Sequence, residues 1–242
     1  MEASRHRAGT RTTRFRGVLL DWRGTLVVAP TDTWWVRSAL ERDGRQSGRE
    51  AVDAVLAALT AADRSAIDSS SIDTDAAAHA AAYAAWFADA GLDDALAHAL
   101  YAIESEVSAN LFAQDVGPLL RTLHGLGVRV GILSDIHVDL RPTFAAHVNP
   151  DGSTWVDLVD AWMLSFELGV AKPDPAVFRT ALAWLGLAAE DVLMVGDRGA
   201  WDGAATEVGI TTLLVPSLRA VDDLRLQRVL DLVQPGAELP DQ

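Results

Sequence analysis

Short, largely apolar runs that end in polar residues are the feature that most constrains how this chain can fold. They lie at residues 18–20, 128–133, 161–164, 192–195 and 211–215. Such runs are typical of strands that are buried on both faces of a sheet. Helical segments, for example at 119–126 and 175–185, separate the later runs. Strands that alternate with helices in this way predict right-handed crossovers, and hence an α/β fold with a doubly wound, five-stranded parallel sheet.

The segment from about residue 31 to residue 115 departs from this alternation. It is rich in alanine, has helical spacing and contains no convincing strand, which predicts an inserted α-helical domain. A helix capped near Thr31 and Asp32 should begin it. The predicted helices cover residues 34–42, 49–62, 75–90 and 93–111.

These patterns predict the domain organisation. We expect an α/β core made of residues 15–27 and 117–242, with the helical insertion over residues 28–116. Residues 1–14 are basic and lack an apolar stretch, so we expect them to form a disordered leader rather than a secretory signal.

The composition narrows the classes of partner. A net charge of -14 would repel the phosphate backbone of nucleic acid and an anionic membrane. No run approaches the roughly 18 apolar residues that a membrane-spanning helix needs. The chain has no cysteine for disulfides or thiolate metal sites. These features predict a cytoplasmic protein that acts on a small ligand, with no nucleic acid or membrane as partner, and they predict no particular oligomeric state.

Polar side chains that can carry chemistry follow the predicted strands. The carboxyl ends of parallel strands meet at one edge of the sheet, which is where open α/β folds bind ligands. Singly, Asp21 fits a surface turn, Ser134 a helix cap and Asp202 a helix N-terminus. As a set they indicate a site, and one member, Lys172, is the only lysine among 20 basic residues. The residues expected at this edge are Asp21, Thr25, Ser134, Asp135, Lys172, Asp197 and Asp202.

Four segments resemble the haloacid dehalogenase-like hydrolase superfamily, over nearly everything from residue 17 to about residue 215. They are Leu-Leu-Asp-Trp-Arg-Gly-Thr-Leu at 19–26, Ile-Leu-Ser-Asp at 132–135, Ser-Phe-Glu-Leu-Gly-Val-Ala-Lys-Pro-Asp-Pro-Ala-Val-Phe at 165–178 and Val-Gly-Asp-Arg-Gly-Ala-Trp-Asp-Gly-Ala at 195–204. The last two are highly specific, and the order of all four is that of the superfamily. The resemblance implies a Rossmann-like core, with the insertion as the helical C1-type cap of subfamily I.

The resemblance also implies roles for these residues. Asp21 would attack a phosphorus or carbon centre and form a covalent aspartyl intermediate, while Lys172 would pair with Asp21 and with substrate oxygens. Thr25, Ser134 and Asp135 would contact the substrate. A Mg²⁺ cofactor, which prefers hard oxygen ligands, is implied. Its ligands would be Asp21, the backbone carbonyl of Arg23, Asp197 and Asp202.

Arg23 departs from the pattern of the superfamily. Two residues after the nucleophile, its phosphatases usually carry a second aspartate that protonates the leaving oxygen and then activates water. Arginine keeps its proton, because its pKa stays above ~12, whereas general acid–base help is typically worth about 10²–10⁴-fold. His137, three residues after Ser134, is a candidate substitute acid, although a histidine that follows a strand is more often simply packed or exposed.

Three functional hypotheses follow from Arg23. The leading one is a Mg²⁺-dependent phosphohydrolase for small phosphorylated or activated anionic substrates, in which Arg23 replaces the usual general acid. The second is a catalytically silent binding or regulatory protein, in which the guanidinium takes the place of the metal. The third is a 2-haloacid dehalogenase-like hydrolase of carbon–halogen bonds, since a halide leaves without a proton, although such enzymes typically lack the aspartate pair that Asp197 and Asp202 match.

The start of the insertion supplies further candidates for substrate contact. Trp34 and Trp35 are adjacent, so on a helix they point to different faces, and one is expected in the core while the other lines the cleft. Arg37 fits an anionic substrate, although an arginine on a helix is more often simply solvated. We predict that Trp34 and Arg37 contact the substrate.

Overall fold

The computed structural model describes residues 13–69, 72–237 and 239–240. Most of the leader predicted over residues 1–14 lies outside these ranges. The strands are β1 (Gly17–Leu20), β2 (Val27–Val28), β3 (Leu111–Phe112), β4 (Arg129–Ser134), β5 (Ala161–Leu164), β6 (Val192–Gly196) and β7 (Thr211–Leu214). The α-helices are α1 (Asp32–Arg42), α2 (Arg49–Ala61), α3 (Ala76–Asp89), α4 (Asp94–Glu104), α5 (Val116–Gly125), α6 (Arg141–Ala145), α7 (Ser165–Leu168), α8 (Pro175–Leu185) and α9 (Gln227–Val233).

The main sheet has the strand order β5-β4-β1-β6-β7, and every neighbouring pair in it is parallel. The predicted five-stranded, doubly wound α/β architecture is therefore confirmed. Strand β1 lies at the centre, where Leu20 pairs with Ile132 on one side and with Val195 on the other.

The sheet is covered on both faces, which explains why the strands β1 and β6 contain no polar side chain. In β1, Val18 and Leu20 belong to one hydrophobic cluster, and Leu19, which points the other way, belongs to a second. The first cluster includes residues of α5 and α9, and the second includes residues of α8. A strand with alternating polar residues would leave one of these clusters incomplete.

The helices of the insertion have a hydrophobic cluster of their own. It contains Val36 and Leu40 from α1, Trp86 and Phe87 from α3, and Leu100 from α4, together with residues of α2. Helix α1 begins where expected, because the side chain of Thr31 accepts a hydrogen bond from the backbone of Trp34. None of the helices in the described ranges is long and apolar enough to cross a membrane.

A two-stranded antiparallel ribbon stands where the chain leaves and re-enters the core. In it Val27 pairs with Phe112 and Val28 with Leu111. The helix predicted over residues 93–111 is wrong in its last part, because α4 ends at Glu104 and a short 3₁₀ turn at Val107–Ala109 leads into β3. Two-residue strands are too short to show a periodicity, so the sequence pattern did not reveal this ribbon.

Candidate active site

The carboxyl ends of β1, β4 and β6 converge on one buried group of polar side chains. Asp21 follows β1 directly, and its backbone N–H donates to Val195 of β6 at 2.9 Å, which continues the parallel pairing by one residue. Ser134 is the last residue of β4, and Asp197 follows β6. The side chains of Asp21 and Ser134 are buried among these strand ends.

Lys172 joins two of the carboxylates. Its Nζ lies 2.5 Å from Asp21 Oδ1 and 2.7 Å from Asp202 Oδ1, and its side chain is only 3% exposed. Its backbone N–H donates at 2.9 Å to Asp135 Oδ1, so Asp135 holds the lysine's backbone in place. Burial alone would lower the pKa of Lys172, but Asp21, Asp202 and Asp135 outweigh it and raise that pKa. Lys172 is therefore charged and compensates the carboxylates of Asp21 and Asp202.

Asp21 is held at both of its oxygens. Oδ1 accepts from Lys172, and Oδ2 accepts from the Thr25 hydroxyl at 3.1 Å. Burial, the strongest influence, raises the pKa of Asp21 to about 6, with help from the charge of Asp202 and against the effect of Lys172. The carboxylate thus depends on positive charge around it to stay ionised, as expected for a group in a low-dielectric site.

The carboxylates of Asp21, Asp197 and Asp202 fit a hard cation such as Mg²⁺. One oxygen from each lies within 4.8 Å of the others. Asp202 Oδ2 accepts from the backbone of Arg198 at 2.9 Å, whereas the buried Asp197 Oδ1 has no hydrogen-bond partner among the described residues. A buried carboxylate oxygen without a partner is costly. A divalent cation bound by oxygen ligands would satisfy it.

The loop after β1 is built to approach Asp197. Gly24 has φ +80°, and a Cβ at this position would overlap the Asp197 carboxylate and lie 2.9 Å from Ser217 Oγ. Arg225, which is buried, donates to the carbonyl oxygens of Gly24 at 3.1 Å and Thr25 at 2.6 Å. Gly24 therefore allows the loop to approach Asp197, and Arg225 holds it there through hydrogen bonds.

The side chain of Arg23 contacts the insertion. Its Nε donates to Asn110 Oδ1 and one terminal nitrogen donates to Glu104 Oε1, both at 3.1 Å. Glu104 offsets the charge of Arg23, so the guanidinium adds no net positive charge to the carboxylate site.

A cavity of about 180 Å³ opens beside Arg23, within the insertion. Trp34, Trp35 and Glu104 are among the residues that line it. Trp35 packs on Trp86 and donates from its indole nitrogen to the Leu100 carbonyl at 2.9 Å, whereas Trp34 is 41% exposed. Arg37 is exposed and does not line this cavity. The structure therefore brings Trp34 towards Arg23 but gives no support to substrate contact by Arg37.

With this geometry in place, comparison with known proteins identifies the family. The sequence profile of the haloacid dehalogenase-like hydrolases matches residues 15–209. The chain belongs to the haloacid dehalogenase-like (HAD-like) hydrolases. None of the functionally curated proteins matches it in sequence.

Solved structures of HAD-like proteins share its fold. A 2-haloacid dehalogenase from Pseudomonas syringae pv. tomato has 20% identity and a TM-score of 0.57, over 83% of this chain and 86% of its own. A HAD phosphatase from Thermococcus onnurineus has 19% identity and a TM-score of 0.55, over 91% and 100%. A HAD family enzyme from Bacteroides thetaiotaomicron, in complex with magnesium and inorganic phosphate, has 16% identity and a TM-score of 0.59, over 84% and 95%. At these identities the likeness concerns the fold alone.

For this HAD-like chain, sequence reasoning missed the residues that hold Arg23 and the first loop. Glu104 and Asn110 lie 81 and 87 residues from Arg23, and Arg225 lies 201 residues from Gly24. Arg225 also lies beyond the segment that matches the family profile. Periodicity and local motifs carry no signal for contacts at such separations.

Proposed function

We propose that this HAD-like chain is a Mg²⁺-dependent phosphohydrolase of small phosphorylated or otherwise activated anionic substrates, in which Asp21 is the nucleophile. The observation that carries the proposal is the Asp21–Lys172–Asp202 arrangement beside the unpartnered oxygen of Asp197. A set of carboxylates this crowded is expected only where a cation compensates it. The magnesium and phosphate bound in the Bacteroides thetaiotaomicron neighbour support the same assignment.

Asp21, the backbone carbonyl of Arg23, Asp197 and Asp202 would hold the Mg²⁺. When bound, the ion would neutralise phosphoryl oxygens and help to keep Asp21 ionised.

The chain's own residues supply the remaining chemistry. Thr25 and Lys172 each hold one oxygen of Asp21, which orients the carboxylate for attack and limits its rotation. Attack by Asp21 on phosphorus expels the leaving group and forms an aspartyl phosphate, which water then hydrolyses. Ser134 and the charge of Lys172 would stabilise the phosphoryl oxygens. Asp135 positions Lys172 through its backbone.

Arg23 cannot protonate a leaving oxygen, so the proposal specifies substrates with good leaving groups, such as acyl or aryl phosphates. The contacts of Arg23 with Glu104 and Asn110 favour this reading over a silent protein in which the guanidinium replaces the metal. An arginine that is engaged by the insertion leaves the carboxylates free for Mg²⁺.

The second candidate is hydrolysis of a carbon–halogen bond. The same missing proton donor favours it, because a halide leaves without a proton, and a 2-haloacid dehalogenase is among the structural neighbours. The metal would distinguish the two candidates. The unpartnered oxygen of Asp197 would be a ligand of Mg²⁺ in the phosphohydrolase, whereas displacement of a halide gives it no role.

A substrate screen with and without Mg²⁺ tests the proposal. Acyl, aryl and sugar phosphates and 2-chloropropionate would be offered to the wild-type protein, to Asp21→Asn and to the exposed-site control Asp222→Asn. We expect Mg²⁺-dependent release of phosphate from acyl and aryl phosphates, a loss of at least ~10³-fold in Asp21→Asn and none in the control. Activity that is equal in wild type and Asp21→Asn would refute the assignment, and metal-independent chloride release would favour the second candidate.

A further inference from the structure

A second group of potential ligands lies at the junction between the insertion and the core, outside the carboxylate site. His137 follows β4 in the core, whereas His79 is in α3 and Asp73 is in a short 3₁₀ turn before α3. One ligand atom from each lies within 4.8 Å of the others. The side chains of His79 and His137 are 2% and 5% exposed. Three chain segments therefore converge on this point.

The outer nitrogen of each imidazole has a hydroxyl partner. His79 Nδ1 lies 3.1 Å from the Tyr101 hydroxyl, and His137 Nε2 lies 3.1 Å from Ser105 Oγ. A ring that donates from its outer nitrogen presents the lone pair of its inner nitrogen to the space between the two rings and Asp73. Hydrogen bonds of this kind orient the histidine ligands of protein metal sites.

The inner nitrogens face Asp73 without hydrogen-bonding to it. His79 Nε2 and His137 Nδ1 lie 3.7 Å and 3.8 Å from Asp73 Oδ1. Zinc bonds to nitrogen and oxygen of about 2.0–2.2 Å place tetrahedral ligand atoms ~3.4 Å apart. These two separations exceed that value by only a few tenths of an ångström, so each histidine nitrogen is close to the distance from Asp73 that a shared ion requires.

The backbone around the cluster is anchored to the core. Ser165 Oγ lies 2.7 Å from the backbone carbonyl of Asp73 and donates to it, which attaches the 3₁₀ turn to α7. The two imidazoles lie face to face, with ring centroids 3.5 Å apart and 11° between their planes. Metal binding requires these rings to tilt until the inner nitrogens converge, and the 3₁₀ turn holds Asp73 in place while they do so.

The types of ligand also suit a metal. Two imidazoles and one carboxylate are a ligand set for zinc and its neighbours in the transition series, whereas the carboxylate site suits Mg²⁺.

We infer that Asp73, His79 and His137 form a second metal site, for a divalent transition metal of the zinc class, that ties the helical insertion to the core. Three protein ligands leave a fourth position for water or a small ligand. Because two ligands come from the insertion and one from the core, the bound ion holds the two parts together. The inference stands independently of the role proposed for Asp21.

Calorimetric titration of the metal-stripped full-length chain with ZnCl₂, in the presence of saturating Mg²⁺, tests the site. We expect one zinc ion per chain, and at least a ~10-fold loss of affinity in each of Asp73→Asn, His79→Gln and His137→Gln. The control His98→Gln, at an exposed histidine of α4, and Asp197→Asn, in the carboxylate site, should both leave zinc binding unchanged.

A spectroscopic measurement on the intact site keeps the test decisive if a variant at the buried His79 fails to fold. Co²⁺ added to the Asp197→Asn protein should give the visible absorption of nitrogen-ligated cobalt, and Zn²⁺ should abolish it. Zinc binding that survives His137→Gln, that disappears in Asp197→Asn, or that is absent from the wild-type protein would overturn the inference, as would a cobalt spectrum of oxygen ligands alone.

Discussion

The guanidinium of Arg23, two residues after Asp21 in the core, donates at 3.1 Å to Glu104, the last residue of α4 in the insertion. The side chains of Arg23 and Glu104 are 37% and 19% exposed, so the pair is partly shielded from solvent. Arg23 therefore connects the proposed nucleophile loop with the helices that surround the neighbouring cavity. The side-chain partners of Arg23 thus lie in the insertion.

Removal of the Glu104 charge tests whether this pair holds the insertion over the site. In Glu104→Gln we expect KM to rise several-fold, because Arg23 loses its ionic partner, while the free energy of unfolding falls by less than ~1 kcal/mol. Steady-state kinetics and urea unfolding measure the two effects. The control is Glu106→Gln, whose partner Arg42 lies on the exposed surface. Equal KM values in the two variants would contradict a role for the Arg23–Glu104 pair.

Restoring a carboxylate at position 23 should recover proton transfer. Arg23→Asp alone would place two carboxylates together, so the substitution belongs in a Glu104→Gln background. If only the proton donor is missing, hydrolysis of alkyl phosphates should rise by up to about 10²–10⁴-fold, and hydrolysis of p-nitrophenyl phosphate much less. Rates measured across leaving groups of increasing basicity check this. A fall for every substrate would instead show that Arg23 binds the substrate's charge, and a uniform gain would contradict both explanations.

Loss of Lys172 should leave two buried carboxylates uncompensated. We expect Lys172→Met to lower the free energy of unfolding by about 3–5 kcal/mol, because Asp21 and Asp202 then repel each other in a low-dielectric site. Added Mg²⁺ should restore part of this loss by binding the folded protein. Urea unfolding with Mg²⁺ or with chelator measures both effects. The double variant Lys172→Met/Asp202→Asn should lose less stability than Lys172→Met, because it has one buried carboxylate fewer. An equal or larger loss of stability in the double variant would count against charge repulsion as the cause.

Gly24 allows a direct comparison of backbone strain with a steric clash. Gly24 and Gly44 have φ of +80° and +71°, but a Cβ at Gly44 would meet nothing within 4 Å, whereas one at Gly24 would overlap Asp197. Gly44→Ala should therefore cost only about 1–2 kcal/mol for its backbone conformation. Gly24→Ala should cost more and weaken Mg²⁺ binding at least ~10-fold. Urea unfolding measures the stability of both variants, and calorimetric titration measures their affinity for Mg²⁺. Equal losses in Gly24→Ala and Gly44→Ala would rule out the clash with Asp197.

Local signals allowed some elements to be predicted to the residue. Helix α8 is bounded by Asp174, which caps it, by proline in the first turn and by Gly186 in the left-handed conformation, all visible in the sequence. Strand β5 was also predicted with its observed bounds. Helix α9 was not predicted, because Val229, Leu230 and Val233 are buried only by their contact with the core. Its formation depends on tertiary packing rather than on a strong local pattern.

Some residues of the candidate sites could be predicted from the sequence and others could not. Asp21, Ser134, Lys172 and Asp202 could be predicted together, because the ends of parallel strands meet by topology alone. The stretch that contains Asp73 was interpreted as a solvated loop, which its serine and aspartate content favours. Nothing in its sequence indicates that the turn docks on Ser165 and faces two histidines.

The Arg225 contacts imply an order of events during synthesis. The ribosome delivers Gly24 201 residues before Arg225, the residue that binds its carbonyl oxygen. At bacterial and eukaryotic elongation rates of about 5–20 residues per second, that interval lasts on the order of 10–40 s. A nascent chain can form β1 and the insertion during this time, but the loop after β1 lacks the guanidinium that fixes it. The loop after β1 therefore gains these fixing contacts only after the segment that contains Arg225 has emerged.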